Sequence, residues 1–268
     1  MYDFSYHRPA SLDEAAKLIA GQDEFKVVAG GMSLIPALKL RLARYAGLVD
    51  LGALENLKGI RREGNALVIG AMTPHAEVAA SPEVARAIPA LAALAEGIGD
   101  PLVRNRGTLG GSIANADPAA DYPSAVLGLG ATVVTHRREI PADNFFVGLF
   151  ATALEAAEII TAVRFPIPRA AAYSKFPQQA SRFALVGVFL AQTASGVRVA
   201  VTGAGPWVFR FRDAEAALSK RFDATALATV ELRPDGLNSD IHASAEYRAY
   251  CVQVLTRRAV AAARPSGN

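Results

Sequence analysis

Arg104-Asn-Arg-Gly-Thr-Leu-Gly-Gly-Ser-Ile-Ala-Asn-Ala-Asp-Pro-Ala-Ala-Asp121 sets a hydroxyl, Thr108, two residues before a glycine pair, Gly110 and Gly111. Short polar side chains follow at Ser112, Asn115 and Asp117, with a second carboxylate at Asp121. Main chain that approaches a diphosphate needs positions without a Cβ, because only there can successive N–H groups turn towards the anion. Gly110 and Gly111 are expected to supply such positions, Thr108 one more donor, and Asp121, an acceptor when ionised, to face a sugar hydroxyl. A glycine-rich turn running into a proline-containing loop would carry the same residues without a ligand.

A second segment resolves that ambiguity. Phe25-Lys26-Val27-Val28 reads as a buried strand that enters Ala29-Gly30-Gly31-Met32-Ser33-Leu34 and then, after Pro36, a helix. Strand, glycine turn and helix start together form an anion site from backbone donors. Neither segment is the dinucleotide fingerprint or the phosphate loop ending in Gly-Lys-Ser/Thr. Two such turns far apart in one chain can grip one long ligand from both sides.

These segments resemble the FAD-binding, medium subunit of molybdenum hydroxylases of the carbon monoxide dehydrogenase and xanthine dehydrogenase family. There Ala-Gly-Gly-x-Ser and Thr-Ile/Leu-Gly-Gly are the two pyrophosphate loops, matching Ala29 to Ser33 and Thr108 to Gly111. The likeness continues through Phe4 to Pro9, Gly70 to Glu77, Lys175-Phe176, Phe183 to Val186 and Ser239 to Arg248, in order along almost the whole chain. Met32 departs from the pattern, since relatives carry a polar residue there, so the backbone rather than that side chain is expected to make the contact.

The resemblance implies an α+β fold with an FAD-binding unit over residues 1–168. That unit would comprise two α/β subdomains of about 1–55 and 56–168, of the PCMH-type, vanillyl-alcohol-oxidase-like kind. A C-terminal antiparallel sheet with helices would fill 169–268. It implies FAD held by Ala29, Gly30, Gly31, Met32, Ser33, Leu34, Thr108, Gly110 and Gly111, with Asn115 and Asp121 at its polar groups. Ile160 would border the adenine end, Ile98 the isoalloxazine ring, and Lys175 would touch the cofactor. No side chain is implied as catalytic, because the flavin carries the chemistry. Partners are implied as well: a large subunit with the molybdenum cofactor and a small one with two [2Fe-2S] clusters, in a dimer of heterotrimers. This chain would pass their electrons through FAD to an external acceptor.

Composition narrows the alternatives. The chain has 268 residues, 51% hydrophobic, enough for more than one core. A formal charge of +3 and 7% aromatic residues, not interleaved with a basic patch, argue against a nucleic-acid partner. The single cysteine, Cys251, is expected in a core and cannot hold an iron-sulfur cluster alone. Histidines lie too far apart for a metal site, so none is expected, and His75 is read as structural. No apolar run approaches the ~18 residues of a membrane helix, and no charged segment followed by an apolar one opens the chain, so a cytoplasmic location is expected.

Further elements follow from pattern. Ser11-Leu12-Asp13-Glu14 is a capping box for a helix with Leu12, Ala15, Ala16 and Ile19 on one face, closed at Gly21. A basic amphipathic helix is expected at Leu38 to Leu42 and strands at Leu48 to Leu51 and Leu67 to Ala71. Thr73-Pro74 starts a short helix, Ser81-Pro82 a longer one to about Glu96, and Pro123 another. Strands at Ala131 to Thr135 and Glu158 to Phe165 end the first unit at Pro166 and Pro168. Beyond it come strands at Ala184 to Ala191 and Val197 to Thr202, then helices at about 213–220, 224–231 and 244–263, the last burying Tyr247, Cys251, Val254 and Leu255. Two other functions fit parts of the pattern: a stand-alone FAD oxidoreductase, and a non-catalytic nucleotide-binding or scaffold protein.

Overall fold

The computed structural model describes residues 1–22 and 24–266. Its first layer is a three-stranded parallel sheet, β1 (Ser5–His7), β2 (Phe25–Val28) and β3 (Gly47–Asp50), in the order β1-β3-β2. Helices α1 (Leu12–Ala20) and α2 (Leu34–Lys39) make the connections. Ser11 caps α1 by accepting from the Glu14 amide at 3.1 Å, while the Glu14 carboxylate accepts from Ala10 N, one residue before the donor that the capping box predicts. α2 begins two residues before Pro36 rather than after it. Proline fits there, since the first turn of a helix has no use for its missing N–H. The expected basic helix at Leu38 to Leu42 does not form. α2 stops at Lys39, Arg41 turns left-handed at φ 58°, and Leu40 and Leu42 are exposed.

The second layer carries β4 (Ile60–Glu63), β5 (Ala66–Gly70), β6 (Thr132–Thr135), β7 (Glu139–Pro141) and β10 (Ile160–Pro166). These form one antiparallel sheet in the order β4-β5-β10-β6-β7. A small hairpin, β8 (Phe146–Gly148) with β9 (Ala151–Thr152), stands beside it. Between β5 and β6 run α3 (His75–Ala80), α4 (Pro82–Ala87), α5 (Pro89–Glu96), α6 (Pro101–Arg104), α7 (Leu109–Asn115) and α8 (Tyr122–Leu129). Leu91, Leu94, Ile113 and Val126 from these helices share a core with Leu67, Ile69, Val133 and Phe165 from the sheet. The single helix expected from Ser81 to Glu96 is two, because Ile88 leaves the helical region at φ −142°, ψ 75° ahead of Pro89.

A second antiparallel sheet closes the chain. It comprises β11 (Ala170–Pro177), β12 (Ala184–Thr193), β13 (Gly196–Thr202), β14 (Phe209–Arg210) and β15 (Arg264–Pro265), in the order β14-β13-β12-β11-β15. Strand alternation sends Val188 and Leu190 to one face, against α9 (Arg212–Lys220) and α10 (Ala245–Ala262). Phe189 and Ala191 go to the other face, into the core of the preceding layer. β11 lies outside the expected strands, and 224–231 holds one 3-10 turn, Ala224–Leu227, in place of a helix. On α10, Cys251 and Leu255 are buried as expected and Val254 partly, but Tyr247 is 46% exposed. The buried stripe runs instead through Arg248, Val252, Thr256 and Ala259. Among the described residues no helix is long and apolar enough to cross a membrane.

At the start of β10 one buried carboxylate ties three segments. Glu158 accepts from Arg138 Nε and Nη2 at 3.0 and 2.9 Å, from Thr135 Oγ1 at 2.8 Å and from Glu155 N at 2.8 Å. The Arg138 bonds above all hold its carboxyl down to about 2, against desolvation that pushes it up. A carboxylate depressed by folding contributes stability above its ordinary range and loses it on acidification. Denaturant titrations should therefore find Glu158→Gln less stable than the native chain at neutral pH, with the gap closing as pH falls from about 4.5 to about 2.

Candidate cofactor site

The second glycine turn is stitched to the end of β5. Ala71 N donates to Thr161 O at 2.9 Å, Gly110 N to Ala71 O at 2.8 Å, Leu109 N to Thr73 O at 3.1 Å and His75 N to Gly107 O at 2.9 Å. Thr108, 4% exposed, accepts from Gly111 N at 3.1 Å and so caps α7. The expectation that amides of Gly110 and Gly111 turn to a ligand is therefore corrected: both are spent inside the protein. Gly110 is required by packing, since a Cβ there would lie 2.5 Å from the Ala71 methyl. Thr108 Oγ1 accepts the Gly111 amide, while a hydroxyl keeps its own O–H to donate.

The first turn is the reverse case. Gly31 sits at φ 73°, where side chains are strained, and α2 starts without a side-chain cap from Ser33. Among the described residues, no protein acceptor takes the N–H groups of Gly30, Gly31, Met32, Ser33 or Leu34. Met32 is 39% exposed and Ser33 is exposed too. The two turns press together: a Cβ on Gly30 would lie 2.0 Å from Arg106 O and 2.7 Å from Gly107 Cα. A Cβ on Gly111 would lie 3.3 Å from that of Ala29. Unspent donors on one turn thus adjoin a rigid, side-chain-poor wall on the other.

A third group gathers around Asp121, just before α8. It is 4% exposed, and its carboxylate accepts from Tyr173 OH and from Lys175 Nζ, the latter 2.9 Å from Oδ1 and 3.0 Å from Oδ2. Burial pushes the carboxyl up and the Lys175 charge and Tyr173 hydroxyl pull it back. Asp121 is thus engaged by protein, contrary to the expectation that it presents itself to a sugar hydroxyl. Lys175 also donates to Gly97 O at 3.1 Å, which brings Ile98, half-buried against the core, into the same group. Arg104 and Arg182 hold the neighbouring carbonyls, Arg104 that of Ile98 at 3.0 Å and both that of Gly99 at 3.2 and 3.3 Å. Ile160 is 5% exposed inside the core, and Asn115 is exposed about one helical turn beyond Gly111. Tyr173, Arg104 and Arg182 escape the sequence reading. Tyr173 and Lys175 stand two apart on one strand and so share a face, a signal that needed β11 to be seen as a strand.

His75 lies beneath the second turn, 5% exposed, its ring 5.3 Å from that of Tyr122. Burial first, and Arg104 second, bring the imidazole down to about 4. It is a neutral packing residue in keeping with its sequence reading, and an NMR pH titration should show its ring shifts constant from neutral pH to about 5 and moving near 4.

Comparison with known proteins bears on this geometry. Residues 2–168 match the family described as the FAD binding domain in molybdopterin dehydrogenase. The chain belongs to this family. It is 39% identical over 269 residues to the nicotine 6-hydroxylase medium subunit of Paenarthrobacter nicotinovorans, covering 95% of each chain. Among solved structures it superposes on a chain of the carbon monoxide dehydrogenase from Hydrogenophaga pseudoflava with a TM-score of 0.87 at 35% identity, covering 97% of each. It superposes on a chain of quinoline 2-oxidoreductase from Pseudomonas putida 86 with a TM-score of 0.89 at 32% identity, covering 97% of this chain and 96% of that one. The chain is thus an FAD-binding oxidoreductase component of the molybdenum hydroxylase family, with the mixed α and β fold its sequence implies.

For a protein of this family the contact between the turns is open to a direct test. Gly30→Ala must drive the turns apart, since the added methyl overlaps Arg106 O. Titration of the purified chain with FAD should show at least tenfold weaker binding, about 1.4 kcal/mol, with the far-ultraviolet circular dichroism unchanged.

Proposed function

We propose that this chain is the electron-transfer subunit of a molybdenum hydroxylase, holding FAD at the junction of the two glycine turns. The observation that carries this is the run of unspent amides from Gly30 to Leu34 facing a turn whose own donors are consumed. Five N–H groups in succession suit a diphosphate, and two glycine pairs leave it room. In this reading Ala29, Gly30, Gly31, Met32, Ser33 and Leu34 hold the diphosphate through main chain. Thr108, Gly110 and Gly111 form the opposite wall, Asn115 meets the cofactor at its rim, and Ile160 backs the adenine end from the core. Ile98 and Lys175 border the ring, and Asp121 fixes Lys175.

FAD held by these residues would supply the redox chemistry between iron-sulfur clusters of a small partner subunit and an external acceptor. The residues of this chain do the rest: they bind, orient and exclude water, with Lys175 held at the rim by its ion pair with Asp121. A large subunit with the molybdenum cofactor carries the hydroxylation. The assembly is a dimer of heterotrimers in the cytoplasm, and the chain divides into an FAD unit of 1–168 and a C-terminal unit of 169–268.

Co-expression with candidate large and small subunits, followed by native mass spectrometry and a visible spectrum, tests the proposal. A complex with two copies of each of three chains and one flavin per copy of this one is the expected result. A colourless single chain that stays colourless on addition of FAD would overturn it.

A further inference from the structure

The end of the C-terminal sheet grips two loops at once. Thr202, the last residue of β13 and fully buried, donates through its hydroxyl to Pro118 O at 2.9 Å or Ala120 O at 2.6 Å. Gly203 N donates to Pro118 O at 2.7 Å and Ala184 N to Ala119 O at 3.1 Å. Three consecutive carbonyls ahead of Asp121 are therefore tied to β12, β13 and the turn after them. From Asp121 the connection runs through Lys175 on β11 to Gly97 O, while Arg182, in the β11–β12 turn, holds Gly99 O. Behind the sheet end, the buried Arg248 of α10 donates to Leu185 O at 2.8 Å and Gly203 O at 2.9 Å and pairs with Asp240 at 2.7 Å.

We propose that this end of the C-terminal sheet is a positioning clamp for the cofactor face, with Thr202 as its pivot. Its task is to set the 117–121 and 97–100 loops against each other so that Asp121 and Lys175 keep their place. The inference rests on FAD binding as proposed above. It gives the C-terminal sheet, which contributes only Lys175 to the cofactor residues named there, a defined part in cofactor binding. Thr202 never touches the ligand; it acts by fixing a backbone whose carbonyls have few other donors.

The test compares two equally buried hydroxyls of the same sheet-and-helix unit. Thr202→Val removes the pivot, whereas Thr256→Val removes a hydroxyl that, among the described residues, bonds only within α10, to Val252 O at 2.7 Å. FAD titrations of the full-length chain, at a temperature where circular dichroism shows each variant folded, should give about tenfold weaker binding for Thr202→Val. Thr256→Val should bind within about twofold of the native chain, and Thr202→Ser, which restores the donor, should recover most of the affinity. Should Thr202→Val not fold, Arg182→Gln loosens the second loop from the exposed side and should weaken FAD about threefold. Native affinity in Thr202→Val, or in Arg182→Gln where it stands in, overturns the clamp, as does equal weakening by Thr256→Val. A native chain that binds no FAD at all overturns the functional reading instead, which separates the two failures.

Discussion

The candidate cofactor site depends on one contact in which main chain meets main chain. Gly30 lies so close to Arg106 and Gly107 that no side chain fits between them. Only a residue without a Cβ allows the parallel-sheet layer to reach the antiparallel one at this point. That contact brings the turn after β2 and the turn before α7, about eighty residues apart in sequence, into one surface. Away from it the two layers also share a core, in which Ala15, Val49 and Leu51 meet Met72 and Ile159, so a methyl group at Gly30 would part the turns and leave that core in place.

The two turns divide the work unevenly. Hydrogen bonds at Gly107, Leu109 and Gly110 tie the second turn to the segment after β5, which itself hangs on Thr161 of the central strand, and Gly111 N is taken up by Thr108 within the turn. The second turn is thus as firm as the sheet beneath it. In the first turn the amides have no such partners among the described residues, so water or a ligand must satisfy them. In the Asp121–Lys175 pair, a buried carboxylate is stabilised by a cation and a phenol that come from another sheet.

Sequence made some of this legible. The glycine pairs, the Ser11 cap and the strands around Leu67 and Val133 were readable, because turn chemistry and apolar runs are local signals, whereas the antiparallel pairing of those strands with β10 was not. β11 was not, since Ala170, Ala171 and Ala172 lack the branched and aromatic side chains that mark strands, and Pro166 and Pro168 read as a stop. The state of Asp121 was equally hidden. Whether a carboxylate is free or spent depends on Tyr173 and Lys175, more than fifty residues away, and the same holds for Arg248, whose burial needs carbonyls of Leu185 and Gly203. The break in the long helix expected from Ser81 comes from Pro89, which drives the preceding Ile88 out of the helical region.

Thr108 caps α7 from within the protein. Because that half of the surface is internally satisfied, it needs no guest to hold its shape, and association there forfeits little conformational freedom. The entropic toll of docking falls almost wholly on the loop between β2 and α2. Changes in that short loop should therefore tune how long a guest stays, while its landing place remains set by the opposite, prebuilt side.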